Sequence, residues 1–266
     1  MREWGSESEW APSLAALAWR GTREVLDAVR DLTEDEDANA RSASAYVLGQ
    51  LGMPERSMPD KSAAVLEEMA DRETNPEVLE AIAGAFANLG EPYGLETLLR
   101  LRRHPDAIVR DGAAGALAGR DDERVDHALI ELTNDSNPAI RDWATFALGT
   151  LSPRDTDELR DALAARLGDE DDDTRIEAIH GLALRGDERG SEAALALLVA
   201  GEPEGEEERP AETIWKRHAL QQATIRLAAL TGDPRFRAHL PELDERWRGT
   251  ALEGELTQAH ARTAGD

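Results

Sequence analysis

The stretch Asn137 to Leu151, NPAIRDWATFALGTL, decides how the rest of the chain is read. It carries a complete helix start. Asn137 can accept hydrogen bonds from the free N–H groups of a first turn, and Pro138 sits at the first helical position, where no N–H is needed. Ile140, Ala144, Leu148 and Leu151 then fall on one face at helical spacing, and such a face needs a partner helix. The frame recurs as DANARSASAYVLGQL (Asp37 to Leu51), NPEVLEAIAGAFANL (Asn75 to Leu89), DAIVRDGAAGALAG (Asp106 to Gly119) and DDDTRIEAIHGLAL (Asp171 to Leu184). The chain is therefore an array of repeats.

Aligned on the arginine of the frame, Arg41, Leu79, Arg110, Arg141 and Arg175 form one column, spaced by 38, 31, 31 and 34 residues. Four positions earlier stand Asp37, Asn75, Asp106, Asn137 and Asp171, all of them helix-capping types. One position before the arginine stand Ala40, Val78, Val109, Ile140 and Thr174. Each frame helix, here helix B, follows a second amphipathic helix, A, as in PYGLETLLRLRRH and RDTDELRDALAARLGD. Two helices per repeat predict a stack of helical hairpins.

These Asn/Asp, Val/Ile, Arg, Ala and Leu-Gly columns resemble the HEAT repeat family, in particular the short HEAT-like repeats of the phycobilin lyase type. The likeness covers about residues 35–232. It implies an all-α, right-handed α-solenoid of about six hairpins, with residues 1–34 and 233–266 as capping segments. Trp4, Trp10 and Trp19 fit a cover over the first repeat or an aromatic docking patch, and Trp247 fits a cover over the last. The segment EPEGEEERPAE after Gly201 reads as a solvated, glutamate-rich insertion or a docking tail. Members of the family range from passive scaffolds to enzymes and chaperone-like lyases, so function has to be argued from a site.

Composition narrows the classes. With 30 basic and 55 acidic residues the formal net charge is −25, which disfavours nucleic acid and anionic membrane surfaces as partners. The absence of cysteine removes disulfides, thiolate nucleophiles and cysteine-bound metals, and fits a cytoplasmic setting. Glu3, Glu7 and Glu9 do not resemble the basic start of a secretory signal, and no stretch has the length of a membrane span. Only Lys61 and Lys216 are lysines. That usage fits a GC-rich genome or a salty cytoplasm.

A helix turns 100° per residue, so positions +1, +5 and +9 from the arginine point away from the buried side. In a HEAT-like stack the likeness places this stripe on the concave face. At +1 it reads Ser42, Glu80, Asp111, Asp142 and Ile176; at +5, Tyr46, Gly84, Gly115, Phe146 and His180; at +9, Gln50, Asn88, Gly119, Thr150 and Leu184. Trp143, at +2, joins Phe146 in an aromatic pair that either anchors a partner or packs against the next B helix. The arginine column reads as a structural ladder whose guanidinium groups meet carboxylates such as Asp106 or Asp171, rather than as phosphate ligands.

No active site assembles from the motifs. HEAT-repeat hydroxylases that modify deoxyhypusine are expected to carry His-Glu pairs directly after the arginine position, as iron ligands. Here Ser42-Ala43, Asp111-Gly112, Asp142-Trp143 and Ile176-Glu177 stand there, while Lys216-Arg217-His218-Ala219 keeps a histidine and loses the carboxylate. His104, His127, His180, His218, His239 and His260 are scattered, with His180 the best placed; glycine-rich phosphate loops and serine-nucleophile motifs are absent. The expectation is a monomeric, non-enzymatic protein-interaction module without metal or cofactor. Its concave B-helix face binds a basic protein through Trp143, Phe146, Asp142 and His180, with Tyr46 and Asp111 alongside. Two alternatives remain open: a HEAT-like lyase, chaperone or hydroxylase-type enzyme, the deoxyhypusine kind being disfavoured by the missing His-Glu pairs, and an acidic inhibitor or immunity protein that imitates nucleic acid.

Overall fold

The structure, a computed structural model, describes residues 11–200 and 211–264. Trp4, Trp10 and most of the glutamate-rich segment lie outside the described residues. Within them all regular structure is helical, and the chain forms two compact units, residues 1–120 and 121–266.

In unit 1, α1 (Ala11–Arg20) and α2 (Arg23–Leu32) precede α3 (Ala38–Gln50), α4 (Pro59–Arg72), α5 (Pro76–Leu89), α6 (Leu95–Leu101) and α7 (Ala107–Leu117). The frame helices α3, α5 and α7 pack side by side as one layer, with α2, α4 and α6 against them. In unit 2 the order is α8 (Glu123–Leu132), α9 (Pro138–Phe146), α10 (Asp157–Ala165), α11 (Asp172–Leu184), α12 (Ser191–Ala200), α13 (Ala211–Thr231), α14 (Pro241–Trp247) and α15 (Glu253–Thr263). Here α9, α11, α13 and α15 form the B layer, against which α8, α10 and α12 pack.

The capping column works as its chemistry dictates. Asp37, Asn75, Asp106, Asn137 and Asp171 are all extended and accept from backbone N–H groups two or three residues on, at 2.9–3.0 Å in the shortest bond of each. The layer behind them is dry. Val78, Ile82, Phe86, Val109, Leu117, Ile140, Leu148, Ile179 and Leu182 are fully buried. A buried phenylalanine such as Phe86 contributes about 2–3 kcal/mol from apolar area alone.

The arginine column is the expected ladder, with different rungs. Arg41 pairs with both oxygens of Glu73 at 2.7 and 3.1 Å, and Arg141 with both of Asp169 at 3.1 and 3.0 Å, not with Asp106 or Asp171. Glu73 and Asp169 stand two residues before the next repeat's cap and also accept its backbone N–H, from Asn75 and Asp171. One carboxylate thus closes the A–B turn of its own repeat and holds the arginine of the one before, and hydrogen bonding to the arginine keeps Asp169 below the usual carboxylate range. Arg110 donates to the carbonyls of His104 and Pro105, and Arg175 to that of Asp169.

The Leu-Gly column has a separate cause. A Cβ on Gly49 would stand 2.7 Å from Ala85 Cα, and one on Gly181 would stand 2.6 Å from Gly149 Cα. Neighbouring B helices cross backbone to backbone there, which only glycine allows. Past α13 the apolar face closes on Phe236, Leu240, Leu243 and Leu256, with Trp247 packed against this group as the sequence implies.

Candidate functional site

The most elaborate part of the molecule surrounds α9 and α11. Helix α9 does not end regularly: from Ala147 to Leu151 it widens into a π turn. The extra residue breaks the 100° step, so Ile140, Ala144 and Leu148 are buried while Leu151, predicted on the same face, is 39% exposed. Widened turns are enriched at functional positions and leave carbonyls without helical partners. Arg185, from the end of α11, supplies the donors. Its Nη1 reaches the carbonyls of Gly149 (2.5 Å) and Gly181 (3.1 Å), and its Nη2 those of Leu148 (2.9 Å), Ser152 (3.2 Å) and Arg154 (3.1 Å).

Arg120 has the same task in unit 1, donating to Ala116, Tyr93 and Phe86 at 2.7–2.9 Å. Burial pulls the pKa of both guanidinium groups below the arginine norm. This second set of arginines lies outside the repeat column. Its signal is an arginine beside a glycine just past a B helix, Gly119-Arg120 and Arg185-Gly186, as a donor near helix C-terminal carbonyls should be.

The expected stripe is where helical geometry puts it, with one exception. Asp142, Phe146, Thr150 and Ile176 are half-buried, and Trp143 is 39% exposed. Trp143 and Phe146, three residues apart on α9, bring their ring centroids to 5.3 Å with planes tilted by 39°. Tyr46 and Asp111 lie half-buried on α3 and α7, in unit 1.

His180 is the correction. It was expected on the exposed stripe, yet only 2% of it is exposed. The glycine contact brings α11 against the end of α9, and from α13 Gln222 hydrogen-bonds the imidazole while Arg226 acts on it through its charge. Its Nδ1 lies 3.3 Å from Thr150 Oγ1. Burial, reinforced by the positive charges of Arg226 and Arg185, pushes its pKa down to about 4, so the ring is neutral at neutral pH. One turn earlier on α11, Glu177 is also 2% exposed. Loading an interior with His180, Glu177, Arg185 and Arg141 demands precise pairing.

Around this cluster lies an ion-pair network on the loop after α9. Asp126 accepts from Ser152 Oγ at 2.8 Å and from Arg154 at 3.3 Å, while Arg160 pairs with Asp155 at 2.6 Å and donates to the Arg185 carbonyl at 2.7 Å. These bonds tie the loop to α8 and α10, and α10 to the end of α11. Among the described residues no group of three or more His, Asp or Glu side chains is placed to hold a metal ion, and no helix is long and apolar enough to cross a membrane.

Comparison with known proteins supplies the family. The family described as HEAT repeats matches residues 12–87, 63–149 and 125–211. Protein YibA of Escherichia coli K12 is 27% identical in an alignment 194 positions long that covers 66% of this chain and 65% of that protein, so the chain spans just under two thirds of the curated relatives' length. The X-ray structure of YibA superposes with a TM-score of 0.65 at 21% identity, covering 96% of this chain and 86% of that one. An engineered protein superposes with a TM-score of 0.54 at 19% identity, covering 95% and 73%. The matched segments span most of the sequence and include every capped frame helix from α3 to α11: the chain belongs to the HEAT repeat family.

Proposed function

We propose that this chain is a non-enzymatic protein-interaction module that acts as a cytoplasmic monomer. A basic protein seats on the free face of the B layer of unit 2, against Trp143 and Phe146 with Asp142 at their edge. One observation carries the reading: an indole 39% exposed beside a second aromatic ring, where unit 1 has Ala43 with Tyr46 on α3, Ala81 with Gly84 on α5 and Gly112 with Gly115 on α7, and so no aromatic pair. An exposed tryptophan adds little to folding, and tryptophan is the residue type most enriched at interface anchors.

Charge does not select this face. Exposed carboxylates also cover the A helices, as at Glu67, Glu68, Asp71, Asp157, Glu158 and Asp161. The aromatic pair selects the face, and the surplus of acid selects the sign of the partner. His180 is a support for this surface, not a contact. Tyr46 and Asp111 are the equivalent positions that unit 1 offers.

Affinity capture with the tagged chain tests the reading. Trp143→Ala/Phe146→Ala should lose the captured protein at unchanged helical content, whereas Glu67→Ala/Glu68→Ala on α4 should retain it. Identical capture by wild type and the aromatic double variant would remove the site.

A further inference from the structure

The corner formed by Trp143, Phe146 and Asp142 also specifies which chemical group of the partner it takes. We propose that it is a guanidinium site, occupied by an arginine side chain of the partner; this rests on the docking face described above.

The rings come first. Trp143 is 39% exposed, and the 39° tilt against Phe146 at 5.3 Å keeps the two rings from stacking flat on one another. A cation within about 6 Å of such a ring is attracted by its quadrupole, most strongly over tryptophan. Asp142 stands four residues before Phe146, one helical turn away on the same face, and is half-buried.

That carboxylate decides between occupants. An apolar side chain seated on the rings would strip water from Asp142 and return no hydrogen bond, which is unfavourable. An ammonium would answer the charge, but it is a strongly hydrated point that gains less from lying on a ring. A guanidinium does both: its weakly hydrated plane lies on the indole while one N–H at its rim reaches the accessible carboxylate oxygen. Asp142 Oδ1 is buried and the residue already has contacts within the fold, so the guanidinium meets the carboxylate through its other oxygen, which keeps acceptor positions to spare. The net charge of −25 draws basic segments toward the whole surface, so selectivity has to be read at the corner itself.

The test uses the full chain labelled with ¹⁵N, with the Trp143 indole N–H signal assigned through Trp143→Phe. Capped Gly-Arg-Gly-Arg-Gly is titrated at fixed ionic strength beside its lysine and leucine counterparts. The arginine peptide should shift the Trp143 signal saturably, the lysine peptide should bind about fivefold more weakly, and the leucine peptide should leave the signal in place. Asp142→Asn, checked for retained helicity, should weaken the arginine peptide about fivefold. A leucine or lysine peptide that matches the arginine peptide, or no shift by the arginine peptide at millimolar concentration, overturns the assignment. The capture experiment separates the two levels. Capture lost in Trp143→Ala/Phe146→Ala together with a leucine-preferring signal removes the guanidinium and keeps the docking face; unchanged capture removes the docking face.

Discussion

Unit 1 and unit 2 use the same repeat frame but hold their B helices together by different physics. In unit 1 the central helix α5 buries Val78, Leu79, Ile82 and Phe86, and Leu79 stands in the arginine column. Its buried Arg120 is satisfied by three backbone carbonyls. The corresponding layer in unit 2 buries Arg141, Glu177 and His180, with Arg185 spanning the π turn. Apolar packing is non-directional and tolerant, whereas a buried polar network admits few arrangements of its members. The difference teaches that one frame can be closed by apolar side chains or by a buried polar network. The exposed aromatic pair Trp143 and Phe146 belongs to the unit with the network.

The comparison can be broken by single substitutions, read by denaturant unfolding together with hydrogen exchange, which reports each unit separately. Phe86→Ala should cost unit 1 about 3–5 kcal/mol through the cavity it leaves. Arg185→Met should cost unit 2 about 3 kcal/mol or more by orphaning the carbonyls of Leu148, Gly149, Ser152 and Arg154. A loss below about 1 kcal/mol for Arg185→Met would show that the network does not hold the unit.

Acid should distinguish the units next. His180 titrates at about 4 when folded and near 6.5 when unfolded, so between these values the unfolded chain binds the extra proton. The stability that goes with the neutral ring is complete above pH 6.5 and is lost as the pH falls to about 4, to the extent of about 3 kcal/mol. His180→Gln should flatten that part of the profile for unit 2 and leave unit 1 alone. Glu73 and Asp169, whose pKa values lie below the carboxylate norm, add their losses only at more acidic pH.

Smaller effects sharpen the picture. Gly181→Ala should cost about 1–3 kcal/mol, because the new methyl would meet Gly149 Cα at 2.6 Å and Leu163 Cδ1 at 2.9 Å. Trp143→Ala should change stability by no more than about 0.5 kcal/mol while abolishing partner capture. A large destabilisation there would assign the indole to the fold instead of the surface.

Much of the architecture was legible residue by residue. The caps at Asn137 and its equivalents, the buried face of Ile140, Ala144 and Leu148, and the ladder role of Arg141 all follow from local periodicity and side-chain chemistry. The pairing of Trp143 with Phe146 was legible too, since three residues on a helix is contact distance. The burial of His180 was not. Nothing local says that α13 will cover a position which helical phase turns outward, or that Gly149 and Gly181 will bring two backbones into contact. The choice of Glu73 and Asp169 over the cap residues as partners of Arg41 and Arg141 likewise depends on how far one repeat lies from the next.

The sequence by itself determined the class of the fold, the repeat frame and which helix faces turn inward, because these depend on 3.6-residue periodicity and on backbone groups that must be capped within a few residues. Tertiary structure alone decided the π turn with its Arg185 clamp, the neutral buried His180 and the interval between repeats that selects each ion pair. Those features arise where separate helices meet, and distance and desolvation there are set by packing rather than by local spacing.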